Sequence, residues 1–144
     1  MRYVYPVELV RDEDGQYVIS SPDVPEALTE GSTPIEALHA MGEALGAALA
    51  GYVIEGRDIP APSPVRADQH TAPVAPLVAA KLALHAAMRE QDLSKVALAE
   101  RLGVSEGVVR RLLNPDHASR LDRVVSALAV LGRGLAIEDL NQAA

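Results

Sequence analysis

The stretch LAERLGVSEGVVRRLL, residues 98–113, decides how the second half of this 144-residue chain folds. Leu98 and Leu102 stand one helical turn apart on one face, and Ala99 beside them is small enough to admit a crossing helix. Gly103 tolerates the φ > 0 backbone that ends a helix, and Ser105 can cap the next one, which is the short glycine turn of a helix-turn-helix. At roughly 100° per residue, Glu106, Gly107, Arg110, Arg111 and Asn114 share one arc of the second helix, and Val108, Val109, Leu112 and Leu113 share the opposite one. That polar arc suits a DNA groove. Arg110 or Arg111 can donate to guanine O6/N7 or to phosphate, and Glu106 can accept from cytosine N4. Gly107 lowers helix propensity by about 1 kcal/mol relative to alanine but leaves the helix start open to close approach. Ser94 and Lys95, opening the preceding helix, are the expected phosphate contacts. The competing reading is an ordinary helical hairpin with a solvated basic face; agreement of spacing, turn glycine, caps and arc favours double-stranded DNA. One such module reads few base pairs, so a homodimer or higher homo-oligomer is expected. The helix 121–131 and the tail GRGLAIEDL are candidate contacts for it.

Helical spacing extends to both sides, predicting helices over 77–90, 95–102, 106–113 and 121–131. Leu121, Val124, Val125, Leu128 and Leu131 form an apolar stripe on the last, with Ser119 as its expected cap. Before residue 77 the pattern differs. Five prolines, Pro60, Pro62, Pro64, Pro73 and Pro76, break the segment 59–76. It reads as a semi-rigid linker or as a loop whose later part, 70–75, returns as a fourth strand, the second being slightly favoured.

The first 58 residues read as α+β. Tyr3, Tyr5, Val7 and Leu9 alternate along one strand, and Tyr17 and Ile19 repeat the alternation after DEDG, whose Asp14-Gly15 pair favours a hairpin turn. Pro6 lacks an N–H and places the first strand at an edge or at an irregularity. A proline-bounded turn, SPDVP, leads to a third strand near 27–30. Thr33-Pro34-Ile35-Glu36 then starts a helix with a cap hydroxyl, a proline at the first helical position and a glutamate that can return a bond. Ile35, Leu38, Leu45, Leu49 and Tyr52 keep one face of that helix apolar to about residue 51–56.

Composition limits the chemistry. The chain carries a formal charge of −7 and no cysteine, which excludes disulfides and thiolate zinc sites. Charge divides unevenly: residues 1–76 hold four arginines against twelve carboxylates, formally −8, and residues 77–144 hold nine Lys/Arg against eight carboxylates, formally +1. An acidic half repels nucleic acid and attracts a basic protein. The start, MRYVYPVELV, lacks the basic and apolar regions of a secretory signal, and no apolar run approaches the roughly 20 residues of a membrane span. A cytoplasmic chain with no membrane partner is expected. His39, His70, His85 and His117 are scattered without a metal-binding pair, and no phosphate-cradling glycine loop or nucleophile elbow occurs. Neither metal nor cofactor is expected. Glu8, Asp12, Glu13, Asp14, Asp23 and Glu36 are the carboxylates from which a magnesium-dependent nuclease would have to draw, but Asp12–Asp14 fit a solvated turn and Glu36 a cap, so no enzyme is expected.

With these residues in place, the chain resembles the HicB-type antitoxin family. The first half carries its D-G-x-Y strand, P-D-[LV]-P turn, G-[DS]-T-x-x-E-A helix start and closing I-P-x-P; KLALHAAMREQDLSKVALAERLGVSEGVVRRLLNPDHASRLDRVVSALAVLGR is similar to the phage-repressor-like helix-turn-helix of many members. The chain departs from the pattern at Glu26 and Ala27, where members usually carry glycine and a small residue or cysteine. The resemblance implies a truncated RNase H-like domain over 1–58 without a working nuclease centre. It also implies a helix-turn-helix domain over 77–144, a small basic RNA-cleaving toxin of HicA type as partner, and autorepression of the operon. Tyr17, Asp23, Glu26 and Glu30 are the candidate toxin contacts. A transcriptional regulator with a small-molecule-sensing first domain is the alternative.

Overall fold

A computed structural model describes residues 1–142. The chain forms two compact units, one of Met1–Pro76 joined by the tail from Asp139, the other of Leu77–Glu138.

The first unit is α+β. Strands β1 (Val4–Arg11), β2 (Tyr17–Ser20), β3 (Leu28–Gly31) and β4 (His70–Pro73) form one antiparallel sheet in the order β3-β2-β1-β4, and helix α1 spans Pro34–Ile54. The fourth strand thus emerges from the proline-rich segment. β1 lies inside the sheet rather than at its edge, and of the two expectations for Pro6 it is the local irregularity near the strand's start that the pairing shows. Its register explains how Pro6 is accommodated: β1 pairs with β4 over Val4–Val7 and with β2 only from Glu8 to Arg11. Pro6 therefore has no β2 neighbour that needs its missing N–H. The β1–β2 connection is a five-residue loop rather than a two-residue turn. Asp12 Oδ1 accepts from the N–H groups of Asp14 and Gln16 at 2.9 and 2.8 Å, and Gly15 takes the required positive φ of 82°.

Helix α1 begins as its sequence dictates. Thr33 Oγ1 accepts from Glu36 N at 3.2 Å, with Pro34 in the first turn, and the Glu36 carboxylate reaches back to Ser32 N at 3.1 Å and to the Ser32 hydroxyl. Leu38, Met41, Leu45, Leu49 and Tyr52 pack with Tyr5, Val7, Ile19 and Ala72 of the sheet as the buried core. Ile35 does not join that face and stays 62% exposed. The reason lies in the first turn, which meets β3 through backbone: a Cβ on Gly31 would stand 2.5 Å from Ala37 N. Farther along, Ala75 N donates to Gly42 O at 3.2 Å, and a Cβ on Gly42 would stand 2.9 Å from Pro73 O. Two glycines thus let helix and strand ends approach to backbone contact. One expectation is corrected here: the 21-residue α1 is long and apolar enough to cross a membrane by length and composition. Its small alanines and glycines raise its apolarity without lengthening any run of large residues, and its large apolar side chains serve the sheet.

The second unit is helical, with α2 (Pro76–Glu90, entering the unit at Leu77), α3 (Lys95–Leu102), α4 (Glu106–Leu113) and α5 (Leu121–Val130). Leu84 and Met88 of α2, Leu98 and Ala99 of α3, Val109, Leu112 and Leu113 of α4, and Val124 and Leu128 of α5 make one buried cluster. Ser119 does not cap α5, whose cap position falls on Arg120 with no side-chain bond. The Ser119 hydroxyl is engaged elsewhere, by Lys81.

Gly31→Ala is expected to destabilise the chain by about 2 kcal/mol, because the new methyl meets backbone that cannot swing aside. Urea denaturation followed by far-UV circular dichroism measures it; an unchanged midpoint would contradict the close approach.

Candidate nucleic-acid interface

Helices α3 and α4 are joined by a turn whose every backbone step has a local cause. Gly103 closes α3 in the left-handed region at φ 67°, ψ 34°, its N–H and that of Val104 returning to Glu100 O and Ala99 O at 3.2 and 3.0 Å. Ser105 then caps α4, its Oγ accepting from Val108 N at 3.3 Å, and Ser94 caps α3 in the same way through Ala97 N at 3.1 Å. Each hydroxyl spends an acceptor lone pair on the cap and retains its O–H for an incoming anion.

The two faces of α4 divide as its periodicity implies. Val109, Leu112 and Leu113 are buried, and Arg110, Arg111 and Asn114 are exposed. Glu106 and Arg110 are brought together directly: one Arg110 nitrogen donates to both carboxylate oxygens at 2.7 and 2.8 Å. The hydrogen bond from Arg110 holds the Glu106 carboxyl below its usual range, and the charge of nearby Lys95 adds to that. The pair is exposed on both sides, where such ion pairs contribute little to stability. Arg111 lies over Gly107, with its Nη1 3.8 Å from the position a Cβ there would take. The candidate set of Ser94, Lys95, Ser105, Glu106, Gly107, Arg110, Arg111 and Asn114 comes from two helix starts and one helix face.

What sequence reasoning missed lies behind that face. Lys81 is fully buried on α2, and its ammonium donates to Arg111 O at 3.1 Å, Asn114 O at 2.8 Å, His117 O at 2.5 Å and Ser119 Oγ at 2.8 Å. One turn later on α2, His85 Nε2 meets Leu113 O at 3.0 Å; a carbonyl only accepts, so Nε2 carries the proton. The last turn of an α-helix leaves carbonyls without intrahelical donors and carries partial negative charge. Here α2 supplies the donors for the end of α4. Burial pulls the Lys81 pKa down, and four oxygens around the ammonium oppose that shift. Burial also lowers the His85 pKa, aided by the Lys95 and Arg89 charges, and the Leu113 carbonyl works the other way. A lone lysine in the apolar run KLALH, one turn before a histidine, is the signal that was available. An open cleft of about 360 Å³ lies beside this end, between His85, Arg89, Ser94, Lys95 and Leu113.

The candidate toxin contacts in the first unit do not converge. Asp23 is committed to Ser63, accepting from its N–H and hydroxyl at 2.8 and 2.5 Å. Glu26 accepts from the Tyr52 hydroxyl at 2.5 Å and pairs with Arg57 at 3.4 Å. These bonds answer the departure at Glu26 and Ala27: the glutamate ties the turn to the end of α1, and buried Ala27 closes it through its N–H to Val24 O at 2.9 Å. Tyr17 shares the sheet face of Ile19, with Arg11 over its ring at 5.8 Å, whereas Glu30 lies on the opposite face. Three more of the carboxylates considered for metal are engaged within the chain: Glu8 with Arg66 at 3.3 Å, Asp12 with its turn and Glu36 with Ser32.

Comparison with known proteins bears on the whole chain. Residues 4–83 match the family model described as HicB_like antitoxin of bacterial toxin-antitoxin system. The chain belongs to the HicB antitoxin family. The Escherichia coli K12 protein named Antitoxin HicB is 37% identical over 133 residues, 92% of this chain and 96% of that protein. Antitoxin HicB 1 of Photorhabdus laumondii is 36% identical over 133 residues, covering 92% of this chain and 84% of its own length. The solved N-terminal domain of the Burkholderia pseudomallei antitoxin HicB aligns with 50% of this chain and 95% of its own at TM-score 0.41 and 20% identity, a likeness too loose to bear on either unit. The relatives of this HicB-family chain are named for antagonism of a toxin and not for turnover of a substrate.

Lys81→Met is expected to lower the stability of the helical unit by about 3 kcal/mol, because it removes the four hydrogen bonds of a buried ammonium and leaves the Arg111, Asn114 and His117 carbonyls with one donor each. The loss of helical ellipticity in urea reads it; an unshifted transition would show that the ammonium holds nothing together.

Proposed function

We propose that this HicB-family chain neutralises a HicA-type RNA-cleaving toxin through its sheet unit and represses its own operon through its helical unit. The sheet unit is the truncated RNase H-like half in this reading, and α3–turn–α4 is the helix-turn-helix. The observation that carries the DNA half is the pair of capped helix starts beside an exposed Arg110–Arg111 face, backed by a buried donor cage. Ser94, Ser105 and the first N–H groups of α3 and α4 suit backbone phosphates. Glu106 and Arg110 suit base edges as a unit, because the carboxylate that holds the guanidinium also restricts its directions. Two copies on a two-part operator give the reach that one recognition helix lacks.

Support for the toxin half comes from the charge division. Twelve carboxylates against four arginines in residues 1–76 complement a protein built to hold RNA, speeding encounter and disfavouring wrong partners. Toxin level then feeds back on operator affinity through the antitoxin.

Operator binding separates the roles. Arg110→Ala is expected to cost roughly 1–3 kcal/mol with loss of sequence preference, whereas Lys95→Ala weakens binding to all sequences alike. Gel shifts with the operator and a scrambled duplex measure both. Unchanged affinity in both variants would return the arginine pair to a solvated helix face.

A further inference from the structure

The sheet of the first unit has two faces, and only one is filled by α1. Tyr5, Val7, Ile19 and Ala72 alternate onto the filled face and are fully buried. The register puts their neighbours on the other side: Val10 stands opposite Val18, which stands opposite Glu30, and Glu8 stands opposite Ser20, which stands opposite Leu28. Val10 and Leu28 are 64% and 63% exposed, and Val18 between them is half-buried. Directly paired and diagonal neighbours across strands lie within side-chain reach. The three therefore make one apolar band across β1, β2 and β3.

The band has an acidic border. Glu30 ends one row and Glu8 begins the next, with Glu8 engaged by Arg66 at 3.3 Å. The carboxylates of the 12–14 loop follow the end of β1. The one basic residue within these three strands, Arg11, lies over the Tyr17 ring on the other face. Arg66 at Glu8 is the one cation shown in this border, which Glu30 and the 12–14 loop keep acidic in balance. Large apolar side chains exposed together beside an excess of one charge mark a protein-docking surface, with the apolar centre supplying affinity and the border selecting the partner's charge.

We propose that this open face of β1–β2–β3, centred on Val10, Val18 and Leu28, is where the sheet unit receives its basic protein partner, the toxin. The proposal rests on the antitoxin reading above and adds the surface. It also moves the contact from Asp23 and Glu26, which are bound within the chain, to the side of the sheet that carries Glu30.

Calorimetric titration of the full chain with the HicA-type toxin tests it, using the double variant Val10→Thr/Leu28→Thr, which keeps strand-compatible residues, and Glu43→Gln on the exposed side of α1 as control. Wild type and control are expected to bind within twofold of each other, and the double variant at least thirtyfold more weakly with unchanged circular dichroism. Equal binding by the double variant would overturn the docking face and leave the antitoxin reading intact. Absence of binding by wild type would overturn that reading, and the face with it. Light scattering closes the remaining route: a wild-type oligomer that falls apart in the double variant, with toxin binding unaffected, would assign the face to a second copy of this chain and overturn the proposal.

Discussion

A buried ammonium holds the helical unit in register. Lys81 has four oxygens within 3.1 Å, three of them carbonyls at or just beyond the end of α4, and His85 takes a fourth carbonyl one turn away. Two donors on α2 thus complete the hydrogen bonding that an α-helix cannot complete at its own C-terminus. Pro115 makes this necessary, because it cannot continue the helix and forces the chain out at Asn114. The same ammonium reaches His117 and Ser119, so the loop leading to α5 is shaped around it. Its charge also opposes the negative end of the α4 dipole. With its end fixed from behind, α4 presents Arg110 and Arg111 on a rigid support.

The sheet unit is organised by a different constraint, the distance between α1 and the strands. Gly31 and Gly42 bring helix and strand backbone together at two points, one at β3 and one beyond β4. Between them Leu38, Met41, Leu45 and Leu49 fill one side of the sheet. Over β1–β2–β3 the other face carries exposed Val10 and Leu28 beside carboxylates. The two units thus offer surfaces of different character, one with carboxylates beside an apolar centre and the other with Arg110 and Arg111 exposed on α4.

Much of this was legible in the residues because its causes are local. The caps at Thr33, Ser94 and Ser105 and the left-handed Gly103 each follow from a side chain and its near neighbours, and the bounds of α3 and α4 match their periodicity. What stayed hidden depends on partners far along the chain. Pro6 allows an edge or an irregularity, and only β4, more than sixty residues later, decides between them by pairing where β2 does not reach. Ser119 looked like a cap and is instead drawn to Lys81, 38 residues away. Ile35 fits the apolar stripe by spacing, yet backbone contact at Gly31 holds that turn where the side chain finds nothing to pack on. Asp23 and Glu26 stand among the candidate toxin contacts, and their bonds to Ser63, Tyr52 and Arg57 arise only when α1 and the segment after it pack against the turn.

In the function proposed above, one chain serves two clients through separate units. Hydrogen exchange of the full-length protein, alone and then with operator DNA, tests it most directly, since the first N–H groups of α3 and α4 lack helical partners and exchange readily unless covered. With that division, DNA slows exchange across residues 94–114 and leaves 1–76 unchanged. Slowing confined to 1–76, with 94–114 unaffected, would contradict it.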